Sequence, residues 1–275
     1  MKLIFLLITF FISFFSPNPT VKWVAIGDSI TYLNDHLDET GNRVNKGYMT
    51  RVCEKIPDLQ YINQGHNGWP AQRIAQKIET LKIEKADVYS VFLGTNDWWA
   101  GLPSGNLADY KNNTGAATVA GSFRVILDKL KVLNSEAKII IISPLQRGDF
   151  VYITNFKNNA YGSYKDKKNQ SLERIVNVLS EIAELEKLAY LDLYHHKKLG
   201  IKNMVKFKRL KNPVTKQYQN YKYPEYITIP FLPETDEYPY PINAIAMTYD
   251  GLHPSDKGNA LIAKLLARKI QKVLK

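Results

Sequence analysis

Apolar and polar positions follow two rhythms along this chain. Short runs rich in apolar and β-branched residues occur at Val21–Ile26, Tyr61–Gln64, Val88–Leu93, Lys138–Ile142 and Ala189–Leu193. Such runs predict strands buried on both faces. Between and after them lie segments whose apolar residues recur at helical spacing: Tyr48–Ile56, Ala71–Leu81, Thr118–Leu133, Leu172–Leu188 and Ala260–Leu274. In the third of these, Phe123, Ile126, Leu127 and Leu130 share one face. Pro57 stops the first helix, and Ser255 is placed to cap the last. Strand–helix alternation predicts a five-stranded parallel sheet with helices on both faces. Sheets of this kind bind ligands beyond the carboxyl ends of their strands.

Tyr194–Tyr249 breaks the alternation. This stretch shows no long helical pattern and is rich in Tyr, Pro and Lys. Long irregular segments inside a domain are usually functional, so it reads either as a cover for a sheet edge or as a substrate rim. At the other end, Met1-Lys2 precedes Leu3–Phe15, an almost wholly apolar run. It is shorter than the roughly 20 residues a membrane span needs and fits a secretory signal. Residues 1–16 are therefore read as a signal peptide and residues 17–275 as one domain, exported to the periplasm or beyond a bacterial envelope. An uncleaved anchor is the alternative, because Phe14 and Phe15 make a poor cleavage site.

Composition changes this picture in two ways. The net charge of +11 includes lysine clusters at 165–168 and 197–216. Without a nucleic-acid-binding motif it reads as a solvated surface that also steers substrate. Cys53 is the only cysteine, which excludes an internal disulfide and a cysteine metal site. Its place in a helical pattern suits packing better than nucleophilic chemistry.

The residues after the strands carry the chemistry. Gly27-Asp28-Ser29-Ile30-Thr31 follows the first strand, Asn63-Gln64-Gly65-His66-Asn67-Gly68 the second, and Gly94-Thr95-Asn96-Asp97 the third. Asp250-Gly251-Leu252-His253-Pro254 precedes the last helix. A serine hydroxyl needs a base, which His253 can supply if an acceptor holds its far ring nitrogen. Asp250, three residues away, can be that acceptor. An ester's oxyanion needs preorganised donors: the Ser29 N–H, the Gly68 N–H and the Asn96 amide. Gly65 is the lesser alternative to Gly68, and Asp28 reads first as a structural hydrogen-bonder.

These four blocks resemble those of the SGNH (GDSL-type) hydrolases, through "GDSIT", "NQGHNG", "GTND" and "DGLHP". The resemblance runs from Val21 to the C-terminus, outside the Tyr194–Tyr249 excursion. It implies a flavodoxin-like three-layer α/β/α sandwich and a serine esterase that uses no metal and no cofactor. It implies Ser29, Asp250 and His253 as the catalytic set, and Ser29, Gly68 and Asn96 as the oxyanion hole.

Asp28, His66, Trp69, Trp98 and Trp99 adjoin these blocks and are expected to contact substrate. Indole faces stack on sugar rings, which makes a carbohydrate O-deacetylase the leading expectation. A lipid or acyl-thioester hydrolase is the alternative, with Ile227–Pro233 as a greasy wall. A non-catalytic carbohydrate-binding domain is the reading from another class. No Gly-x-Ser-x-Gly elbow is present, which argues against an α/β-hydrolase. A metal phosphoesterase would need a denser ligand set than Asp28 and the scattered histidines offer. The expected partner is a small-molecule or polysaccharide ester, with no nucleic acid and no stable membrane insertion once the signal is removed.

Overall fold

The computed structural model describes residues 20–275, so the signal-peptide reading of residues 1–16 lies outside the described residues. Nine strands occur among the described residues: β1 Val21–Gly27, β2 Leu59–Gly65, β3 Val88–Phe92, β4 Lys138–Ile142, β5 Phe150–Tyr152, β6 Asn155–Ala160, β7 Ala189–Leu191, β8 Lys208–Lys211 and β9 Tyr218–Tyr221. The helices are α1 Ser29–Tyr32, α2 Tyr48–Cys53, α3 Ala71–Lys77, α4 Thr95–Ala100, α5 Leu107–Lys111, α6 Val119–Leu133, α7 Leu172–Leu185 and α8 Asp256–Val273. The central sheet is parallel throughout, in the order β2-β1-β3-β4-β7. That order is the flavodoxin-like one, with its topological switch beside β1.

Strand pleating sorts the side chains into two cores. Val24 and Ile26 of β1, Tyr89 and Val91 of β3, and Ile139 and Ile141 of β4 pack with α3, α6 and α7. Trp23 and Ala25, Val88 and Phe92, and Ile140 and Ile142 pack on the opposite side with α2 and α8. Ser90 is a buried polar exception, and it accepts from Trp23 Nε1 at 2.9 Å. Cys53 ends α2 half-buried, and burial raises its thiol pKa.

Register aligns the functional edge. Gly27 sits opposite both Gly65 of β2 and Phe92 of β3. The chain therefore leaves three neighbouring strands at one level. β4 ends level with them, because Phe92 pairs with Ile142.

The Tyr194–Tyr249 excursion contains the β8–β9 hairpin and short 3₁₀ turns. It builds a satellite core of Val205, Leu210, Tyr226 and Tyr240 against Val151. Lys208 is buried and pairs with Asp149 at 2.8 Å, which ties the excursion to the chain after β4. Tyr226 and Tyr240 are thus packing residues, which removes them from any substrate rim the excursion could form. Their hydrocarbon rings have a larger apolar surface to bury than any aliphatic side chain nearby.

Candidate active site

Ser29 opens α1 and Asp28 caps it, with Asp28 Oδ1 accepting from the Ile30 N–H at 3.0 Å. Being first in a helix leaves the Ser29 N–H without an intrahelical partner. Gly27 matters for space: a Cβ there would lie 2.0 Å from Thr31 Oγ1 and 3.2 Å from the Phe92 carbonyl oxygen. Any side chain at 27 would push the Ser29 turn off the sheet edge.

Asp250 and His253 come from one tight loop, closed by a bridge between Thr248 and Pro254. Asp250 Oδ1 accepts from the backbone N–H groups of Leu252 (3.0 Å) and His253 (2.7 Å). Its Oδ2 lies 2.6 Å from His253 Nδ1. A carboxylate only accepts, so Nδ1 carries the proton and Nε2 is left as an acceptor. Nε2 lies 2.9 Å from Ser29 Oγ. All three residues are buried, Asp250 completely. Phe150 packs its ring against the imidazole at 5.4 Å in an edge-on arrangement, and Tyr249 stacks at 5.9 Å. The imidazole is thus fixed by a carboxylate at one nitrogen and by aromatic walls at its sides.

Gly68 is the third residue of a turn closed by Trp69 N–H to the His66 carbonyl at 3.1 Å. Its φ of +74° is the left-handed value such a turn asks of a glycine. It is exposed, with nothing within 4 Å of where a Cβ would stand. Gly65 differs, since its N–H is already bonded to Asn63 Oδ1 at 2.8 Å. Asn96 lies in the first turn of α4, and its amide donates to the Trp69 carbonyl at 3.2 Å. That bond orients one amide N–H and leaves the other for a ligand. Asp97 takes the N–H groups of Ala71 (2.9 Å) and Gln72 (3.3 Å), capping α3. The second and third blocks are therefore latched together, a role for Asp97 that its position in the motif did not disclose.

Two of the expected substrate contacts are corrected. Trp98 is fully buried in the core under the sheet, with Nε1 donating to the Gln170 carbonyl at 3.0 Å. Asp28 is 3% exposed, and its Oδ1 is spent on the capping bond of α1 rather than on a substrate. Trp99 remains at the surface. It is half-buried on the Phe150–Ala160–Leu252 cluster and meets Tyr161 edge-on at 4.9 Å. Trp69 stacks on His66 at 4.5 Å and also carries the Arg73 guanidinium at 4.3 Å. Burial, with Arg73 adding to it, lowers the pKa of His66, and its buried Nε2 has no partner among the described residues.

Burial pushes the carboxyls of Asp28 and Asp97 up to about 6, against the backbone bonds that pull them down. A carboxyl raised on folding adds stability at pH values below its unfolded pKa of 3.8, and that contribution is lost as pH rises through about 6. Wild type should therefore lose stability relative to Asp97→Asn between about pH 4 and pH 7, by on the order of 2–3 kcal/mol. Thermal melts of the two proteins across that range test this. A difference that does not change with pH would show that Asp97 is ionised throughout.

Arg147 is the residue that sequence reasoning missed. It lies beyond β4 and is 2% exposed, with Nε and Nη2 unpartnered among the described residues. Its guanidinium lies 5.4 Å from the Trp99 ring and 5.6 Å from that of Trp98. Burial brings its pKa down to about 10, opposed chiefly by the negative charge of Asp250 and then Asp149. The same strand-end rule that singled out Ser29 and Asn96 also points at the segment Ser143–Asp149.

The GDSL-like lipase/acylhydrolase family model matches residues 25–209. A possible lipase from Chitinophaga pinensis is 60% identical, with 92% of this chain and 98% of that chain covered and a TM-score of 0.91. A lipase/acylhydrolase from Enterococcus faecalis is 19% identical, covering 92% of this chain and 96% of its own, at a TM-score of 0.51. A Lactobacillus plantarum protein is 17% identical over 93% and 96%, at 0.58. No curated protein matches the chain.

Proposed function

We propose, for a chain that belongs to the GDSL-like lipase/acylhydrolase family and so hydrolyses ester bonds, that the bond it cuts is an O-acetyl ester on a carbohydrate. Ser29 Oγ attacks the ester carbonyl while His253 Nε2 takes its proton. Asp250 holds the imidazolium that forms. The oxyanion rests on the N–H groups of Ser29 and Gly68 and on the free amide N–H of Asn96. His253 returns the proton to the departing sugar hydroxyl. Water then attacks the acetyl-serine with His253 again as base, and acetate leaves. The imidazole must be neutral to accept, so protonation of His253 stops the cycle.

The observation that carries the carbohydrate half is the wall beside His253. Half-buried Trp99 and Tyr161 meet edge-on there, with Lys167 Nζ 3.9 Å from the indole centre. A neighbouring groove of about 220 Å³ mixes Asp149, Asn159 and Lys208 with Phe150 and Phe231. Polar groups interleaved with aromatic faces suit a sugar. The apolar cavity touching His253, lined by Ile30, Leu33 and Tyr249, holds about 10 Å³, space for one water at most. That favours a short acyl group. Ile229 and Phe231 in the groove favour the second reading, a lipid or acyl-thioester hydrolase. Export through residues 1–16 belongs to the same proposal, since it would bring the enzyme to surface glycans.

The test is acetate release from acetylated glycans beside hydrolysis of p-nitrophenyl acetate, butyrate and octanoate. Acetate should be the preferred acyl group, and a preference for octanoate would establish the lipid reading instead. Trp99→Ala should raise KM for an acetylated glycan by about tenfold, a stacking contact's worth. For p-nitrophenyl acetate, which has no sugar, the same variant should lose much less.

A further inference from the structure

A cleft of about 870 Å³ opens beside the catalytic loop. Arg43, Lys197, Lys198, Lys202, Lys206 and Lys257 line it, and its one carboxylate is Asp256. That carboxylate is already engaged, with Arg51 at 2.5 Å and the Asn45 amide at 2.7 Å. None of the five lysines pairs with a carboxylate of a described residue, and all are exposed. Arg43 gives Nη1 to the Tyr240 carbonyl at 2.7 Å, while its Nε is buried without a partner among the described residues. The floor is apolar, made of Val205, Ile245 and Met247.

Its position is the second observation. The loop that carries Asp250 and His253 enters from Met247 and leaves into Ser255 and Lys257, and all three of these line the cleft. The cleft therefore borders both stems of the loop whose tip holds His253 against Ser29.

We propose that this cleft binds a stretch of anionic polysaccharide adjoining the acetylated unit that Ser29 attacks. This rests on the deacetylase reading for what is bound at Ser29, and on charge and shape for the cleft itself. Six cations converging on a concave site concentrate positive potential there. The apolar floor suits the C–H faces of sugar rings. No aromatic side chain lines the cleft, which disfavours single-stranded nucleic acid, whose bases need stacking partners. A planar membrane surface would not fill a concavity of this size. The lysine cluster read from the sequence as a solvated surface thus has a specific use for Lys197–Lys206, whereas Lys165–Lys168 lies elsewhere.

The test is calorimetric titration of the full chain with heparin and with polygalacturonate, at low salt and at about 0.5 M NaCl. A neutral xylan and phosphatidylglycerol vesicles are titrated alongside. Lys197→Glu/Lys198→Glu/Lys202→Glu is compared with Lys77→Glu/Lys85→Glu/Lys111→Glu, which carries the same charge change on exposed residues elsewhere. Melting temperatures verify that both variants fold. Salt-sensitive binding to a polyanion is expected, weakened about tenfold or more in the cleft variant and far less in the control. Equal weakening in the two variants, no saturable binding to either polyanion, or binding to vesicles alone would overturn the proposal. Acetate release distinguishes it from the deacetylase reading. A protein that deacetylates neutral glycans but binds no polyanion loses only the cleft. One that binds polyanions through the cleft but deacetylates nothing loses only the deacetylase reading.

Discussion

Ser29→Ala should lower kcat on p-nitrophenyl acetate by about ten-thousand-fold or more while the protein stays folded. The hydroxyl supplies both the attacking oxygen and the proton that His253 Nε2 takes. Removing it leaves the oxyanion donors and the binding wall in place, so a small residual rate should remain. The structural cost is one buried hydrogen bond, from Ser29 Oγ to His253 Nε2, worth about 1 kcal/mol. Melting temperatures should therefore be close. A variant that keeps a tenth of the activity would show that Ser29 is not the nucleophile.

The second large effect is expected of Asp250→Asn, for a reason that lies in the bonding pattern. The carboxylate accepts two backbone N–H groups on Oδ1 and the His253 Nδ1–H on Oδ2. An amide has one acceptor oxygen. Keeping the two backbone bonds turns the amide nitrogen toward Nδ1, which must then become the acceptor. The proton moves to Nε2, and the imidazole can no longer take the proton of Ser29. The expected loss in kcat is about ten-thousand-fold, with KM little changed. The substitution also removes the charge that most favours the buried Arg147 guanidinium, so the melting temperature should fall as well. Histidine imino-proton NMR of wild type and variant would show directly which ring nitrogen is protonated. An unchanged tautomer with lost activity would point to Arg147 as the cause.

Legibility in the sequence followed the range of the interactions involved. Asp250 and His253 sit three residues apart in one loop, so their pairing is local, and Asn96 and Ser29 each follow a strand whose apolar run marks its end. Asp97 was visible in its motif, but its partners, Ala71 and Gln72, lie on another element. The adjacent tryptophans show the limit most clearly. The chain after β3 winds at once into the six-residue helix α4, where consecutive side chains point about 100° apart. One indole therefore enters the core and its neighbour meets solvent, and nothing in "NDWWA" says which. Arg147 was passed over for another reason: a lone arginine after an apolar strand looks like surface until burial leaves it between two indoles and three carboxylates.

By itself, the sequence determined the alternation of strand and helix, the edge at which the chemistry gathers, and the residues able to perform ester hydrolysis. Backbone periodicity and short-range spacing carry that much, because both are set within a few residues. Tertiary structure alone decided which aromatics are wall and which are core, that a tyrosine-rich excursion packs against the chain after β4, and that cations from residue 43 and residues 197–257 line one cleft. Those outcomes depend on how distant segments share the space around one parallel sheet, and burial at any position is a property of everything that packs against it.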